Sequence, residues 1–250
     1  LRMKNAQLVR SEIRRLTTTR MPLAFLAVLG ALAALNAAVV GWVADAEGTQ
    51  TVLSTALDQR SLIAFSANSV IIAGLFGATA VARGYGHGTV VHVFLATPRR
   101  LRAQLAQFTA VALGGAVLGL AGVAMTAGAV AAVLPLTEYG FMVSTGDMIR
   151  LLAASSFAGA AGALLGAGTG ALVRNTGGAV TGAVLVLVIA PPLIVQMASG
   201  AASWIPPTLA NVVSGVSNEV TVAVALAALV LWAGIPATIG LVSTVRRDVV

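Results

Sequence analysis

Six apolar runs, at 21–44, 61–82, 105–134, 148–173, 178–198 and 220–244, constrain this chain more than any other feature. Each approaches or exceeds the ~20 residues that a helix needs to cross about 30 Å of hydrocarbon. Inside lipid a backbone must satisfy its own N–H and C=O groups, so a run of this length reads as a helix. The composition agrees, with 58% hydrophobic and 9% charged residues, against roughly 25% charged in a soluble domain. The expected fold is an all-α integral membrane protein with six transmembrane helices, forming one domain over 1–250. The third run is long enough to tilt, to bend at its glycines or to extend beyond the bilayer.

Charge orients the spans. With 1–20, 83–104, 174–177 and the C-terminus on one side, thirteen of the fifteen basic residues fall there, alongside only Glu12 and Asp248. The opposite loops hold Arg60 and Arg150 but six acids: Asp45, Glu47, Asp58, Glu138, Asp147 and Glu219. The positive-inside rule then makes both termini cytosolic, and the GC-rich bias of fourteen arginines to one lysine suggests a bacterial cell membrane. A net charge of +7 would suggest nucleic acid in a soluble chain. Here the basic residues flank apolar runs and contact membrane lipids, and no aromatic stacking platform accompanies them, so nucleic acid is not an expected partner.

Residues 1–20 carry six basic side chains before the first run. Coiled as a helix, they place Ala6, Val9, Ile13 and Leu16 on one side and Lys4, Arg10, Arg14 and Arg15 largely away from it. This reads as an amphipathic helix lying at the membrane interface, the plainer alternative being a basic tail. A cleaved leader is not expected, because the following run is too long for one.

Several chemistries are excluded by what the residues lack. Every acid sits in or beside a loop, so the spans offer no carboxylate for ion coupling. No cysteine is available for a thiolate, disulfide or metal. His87 and His92 are spaced wrongly for a metal pair on one helix face, and no metal site is expected. No Ser, His and Asp set assembles, because the histidines and most of the acids fall on opposite sides of the membrane. A phosphate loop is missing too. The chain is expected to have no catalytic residues and no cofactor of its own, so that any work it performs draws energy from a partner.

Inside the spans, Gly115 and Gly119, then Gly162, Gly166 and Gly170, recur at four-residue spacing. They line one helix face and let a neighbouring backbone approach; packing within the chain is favoured over a dimer seam. Asn36, Asn68, Gln107 and Gln196 need partners, and Asn36 and Asn68 are the candidates for facing a translocation path. Pro191 and Pro192 should kink the fifth run. Trp204, Ile205, Pro206 and Pro207 read as an interfacial turn or short half-helix.

The largest basic interval between spans, 83–107, is RGYGHGTVVHVFLATPRRLRAQLAQ. Its Tyr85, His87, Gly88, Thr89, Leu95, Ala96, Thr97, Pro98 and Arg100 resemble the loop between the second and third spans of type-2 ABC transporter permeases, where a GT precedes an L-x-T-P-x-R segment. The stretch 10–20, RSEIRRLTTTR, resembles that family's amphipathic connecting helix. Arg174, Asn175 and Thr176 resemble its inner loop between spans four and five, and 204–207 its outer segment. Gly84 and Gly86 stand where the family often has an acid and a base, and Gln107 stands where a lysine is common. That departure suggests a partner permease with the more typical loop.

The resemblance implies a cytosolic coupling helix over 83–104 between spans two and three, with Gly88, Thr89, Val91, Phe94, Leu95, Pro98, Arg99 and Arg100 as ATPase-coupling residues. The implied partners are two copies of a separate ABC ATPase subunit, which would hold ATP and Mg, and a second permease, the same or homologous. The expected function is export of an amphiphilic small molecule such as a drug or antibiotic. Export of a lipid, glycan or peptide is the alternative, as is a non-transporting scaffold or sensor.

Overall fold

The computed structural model describes residues 5–43, 53–67, 69–86, 100–137 and 139–246, and every regular element among them is helical. The chain opens with α1 (Asn5–Thr17), which buries Leu8, Glu12 and Leu16. Three threonines end it. The hydroxyls of Thr17, Thr18 and Thr19 donate to the carbonyls of Arg14, Arg15 and Leu16, taking acceptors that a helix C-terminus leaves unmatched.

Span one is α2 (Met21–Val43). Span two consists of α3 (Ala56–Ala67) and α4 (Ser69–Gly86), beginning before and ending after the expected 61–82. Span three is α5 (Arg100–Val133), closed by a 3-10 turn over Leu134–Leu136. Its 34 residues measure about 51 Å at ~1.5 Å per residue. Residues 83–86 and 100–104 of the expected elbow are therefore helical.

Span four is α6 (Thr145–Val173). The Ser144 hydroxyl caps it by accepting from the Asp147 N–H and donating to the Asp147 carboxylate, and that acid also suits the positive end of the helix dipole. Span five comprises α7 (Thr176–Val184), a π-helical turn over Leu185–Ile189 and α8 (Ala190–Met197). The expected proline break thus takes the form of a wider turn, with Ala190 N–H reaching back to the Leu185 carbonyl just before Pro191 and Pro192. A 3-10 segment (Ser199–Trp204) and the half-helix α9 (Pro206–Val213) precede span six, α10 (Val222–Arg246).

Six helices are long and apolar enough to cross a membrane, and their outward side chains include Leu23, Leu35, Leu113, Val117, Leu231 and Ile235. The chain is a multi-pass, all-helical membrane protein. At its centre lies α6, packed against α4, α5, α7 and α10. A Cβ added at Gly119 would strike the Ser155 carbonyl, while Gly162, Gly166 and Gly170 back onto Val70, Gly74 and Ala78 of α4. The four-residue glycine spacing therefore serves packing within the chain. It matters because lipid offers no hydrophobic drive for helix association, leaving close van der Waals contact to supply it.

Candidate functional site

The end of the bundle away from α1 is stitched by side chains of α3 and α6. Gln59, completely buried, donates to the carbonyls of Leu53 (3.2 Å) and Gly140 (2.9 Å) and accepts from the Met142 N–H (2.9 Å). One amide thereby fixes the approach to α3 and the segment entering α6. Its neighbour Arg60 pairs with Asp147 at 2.9 Å and donates to the carbonyls of Ser214 (3.3 Å) and Gly215 (3.0 Å).

Arg150 adds a contact from its Nε to the Val213 carbonyl at 3.4 Å. Two guanidinium groups thus meet the C-terminal carbonyls of α9, where unmatched acceptors and the negative end of the helix dipole favour cations. Gly215 has φ +75°, and its bare Cα leaves room for the Arg150 guanidinium.

Beneath this latch lies a cavity of about 40 Å³ between α3, α4, α6 and α9, lined by Ser69, Ser155, Asn211 and Ser214 beside Phe65 and Pro207. It has room for about a water molecule or one polar group of a ligand. Ser69 is 8% exposed, and its hydroxyl has no partner among the described residues. Ser214 turns its hydroxyl onto the Asn211 carbonyl. The walls are thus neutral and polar within an apolar frame, suited to a hydroxyl or carbonyl rather than an ion.

The opposite end has a second cluster. Arg174, the C-cap of α6, adopts φ 56°; its guanidinium lies over the Tyr85 ring and donates to the Ser243 carbonyl at 3.1 Å. The Tyr85 hydroxyl meets Thr244 Oγ1 at 3.0 Å. Because Thr244 already donates to the Gly240 carbonyl, the tyrosine is the donor. Asn175 caps α7 by accepting from the Gly177 and Gly178 N–H groups. These bonds tie the ends of α4, α6 and α10 together.

Of the residues singled out from sequence, Gly88, Thr89, Val91, Phe94, Leu95, Pro98 and Arg99 lie outside the described residues, as does Asn68. Arg100 opens α5 and is half-buried. Asn36 is half-buried and donates to the Leu32 carbonyl of its own helix at 2.8 Å; it is not among the residues lining the cavity. Gln107 is buried, whereas Gln196 is exposed. Ser69 and Ser155 carry no sequence signal, since small polar residues in a span have no periodic mark, and Asn211 lies outside the spans in α9. For the latch a signal existed: Arg60 and Arg150 are the two cations in loops otherwise populated by acids.

What the fold and these clusters define is a class, a six-span helical membrane protein with a polar pocket inside the bundle. Neither a family model nor any curated protein matches the chain.

Proposed function

We propose that the chain is the permease subunit of an ATP-driven ABC-2-type exporter in a bacterial cell membrane, with both termini cytosolic, moving an amphiphilic small molecule such as a drug or antibiotic. The observation that carries this reading is the neutral polar cavity under α9, with the unpartnered Ser69 hydroxyl on its wall. A site of that character holds the polar group of an amphiphile while the surrounding apolar spans accept the rest.

The resemblance of 85–100 to a coupling loop supplies the energy source. A separate ATPase, present in two copies and holding ATP and Mg, presses on the segment containing Gly88, Thr89, Val91, Phe94, Leu95, Pro98, Arg99 and Arg100. Helix α1 lies at the cytosolic interface, and a second permease completes the pathway. Closure of the ATPases moves the spans between inward- and outward-facing states, and cargo shifts that equilibrium only through its differential affinity for the two. The glycine seams that join α6 to α4 and α5 make those helices move as one body.

Purification from the native host followed by ATP hydrolysis assays over a panel of amphiphiles tests this function. Copurification of an ATPase stimulated by at least one amphiphile is expected; a complex with no ATPase subunit overturns the reading. In the same assay Phe94→Asp or Leu95→Asp uncouples hydrolysis from cargo.

A further inference from the structure

We propose that the junction of α1, α2 and α4 is a binding site for a phosphate-bearing anion, occupied in the membrane by the headgroup of an acidic phospholipid. A cavity of about 170 Å³ opens there, lined by Arg15 and Thr19 at the end of α1, Met21 at the start of α2, and Arg83 and Gly84 near the end of α4. No acidic side chain lines it among the described residues. Two guanidinium groups brought together from distant parts of the chain provide planar donor forks that match phosphate oxygens.

The start of α2 contributes independently. The Arg20 carbonyl accepts the Ala24 N–H at 3.0 Å, which places the helix N-terminus at Met21, on the cavity wall. Pro22 has no N–H, but those of Met21 and Leu23 have no acceptor within the helix, and the dipole of a 23-residue helix presents its positive end there. The arginines and this N-terminus therefore favour the same sign of charge in the same space.

Arg15 also pairs with Glu12 at 3.0 Å. That contact uses Nη2 of a side chain with five N–H donors, leaving donors for a second anion. Glu12 is on the buried side of α1 and does not line the cavity.

The surroundings favour a lipid over free phosphate. A wider groove of about 590 Å³ follows α1 past Arg10 and Arg14 and shares Arg15 with the cavity, so a track of positive charge leads to the site. Immediately beyond Met21, Leu23 is 66% exposed, beginning an apolar wall along which acyl chains can run. Basic pockets between spans at headgroup level bind acidic lipids in this way. A lipid seated here bridges the α1–α2 turn to α4.

The full chain, purified and stripped of lipid in a neutral detergent, is titrated with phosphatidylglycerol, phosphatidylcholine or inorganic phosphate, reading bound lipid by native mass spectrometry and Tm by thermal unfolding. Phosphatidylglycerol is expected to bind at least tenfold more tightly than phosphatidylcholine and to raise Tm. Arg83→Gln and Arg15→Gln each abolish that preference, while Arg10→Gln, which removes the same charge outside the cavity, retains it. Should Arg83→Gln fail to fold, Arg83→Lys, which keeps the charge but loses the fork, shows a weakened preference. Equal binding of the two lipids overturns the proposal, as does an equal loss in Arg10→Gln, which would mean diffuse attraction. An identical Tm shift with inorganic phosphate alone retains the phosphate site and assigns it to a soluble phosphate ester.

Discussion

Helices α2 and α6 are both apolar enough to cross a bilayer, yet they are built on opposite plans. In the most apolar stretch of α6 50% of residues are buried, against 22% in the first span. The glycines explain the difference. A Cβ at Gly166 would strike the Gly74 carbonyl, and one at Gly168 the carbonyl of Pro236, whereas Gly30 of α2 has open space where its side chain would be. The outward residues of α2 include Leu23, Val28, Leu35, Val39 and Trp42, all exposed. Hydropathy alone does not separate a lipid-facing span from a central one; the placement of small residues does.

The largest expected effect lies in breaking the seam. Gly166→Leu forces α4 from α6 and should cost more than about 4 kcal/mol or prevent folding, whereas Gly30→Leu should stay within about 0.5 kcal/mol. Thermal unfolding of both variants in one detergent measures the contrast, and equal losses would sink it.

Next comes the anchoring of the ends. The start of α6 is tied to α3 and α9 through Asp147 and Arg60, whose side chains are 30% and 13% exposed. Arg60→Gln removes the ion pair and two bonds to carbonyls, a loss of about 2 kcal/mol. Asp147→Asn should cost less, and the double variant should show a coupling above about 0.5 kcal/mol. Additive losses would mean that the pair does not act as a unit.

The start of α2 depends instead on α1, where burial raises the Glu12 carboxyl above its ordinary value and Arg15 opposes the shift. A carboxyl whose folded pKa is raised contributes stability that is complete below the unfolded value near 4.5 and is lost as pH rises through the folded one. Hydrogen-exchange protection over 5–17, taken relative to the intrinsic exchange rate at each pH, should therefore be greater at pH 4 than at pH 8. Glu12→Gln should remove that dependence and slow exchange at pH 8; an unchanged profile would show that Glu12 is not responsible. The smallest effect is Gly30→Ala, which should stabilise α2 by about 0.4 kcal/mol through its helix propensity, read as a small rise in Tm.

Much of this contrast was legible in the sequence. The six runs appear as helices with shifted ends, because a helix continues past its apolar stretch wherever caps and partners allow. That is why α4 carries Arg83 through Gly86, and why α5 begins at Arg100. The spacing of Gly162, Gly166 and Gly170 marks one face for close packing within the chain, since four-residue repeats survive translation into a helix surface, and the structure sets α4 against it. Gly159 and Gly168 carry no such mark, because they meet α5 and α10 singly and a lone glycine has no period. Nor could the cavity be anticipated, because Ser69, Ser155 and Asn211 come together only through tertiary packing. Asn36, conspicuous as an amide in an apolar run, donates to the Leu32 carbonyl of its own helix.

The length of α5 makes bilayer thickness a variable of this protein. A rod of about 51 Å cannot be matched by ~30 Å of hydrocarbon, so it must lean or protrude. Because α1 and α2 pack on this same helix, a change in its lean is passed to both of them. Membranes of different acyl length would thus set the resting geometry of the bundle before any ligand arrives.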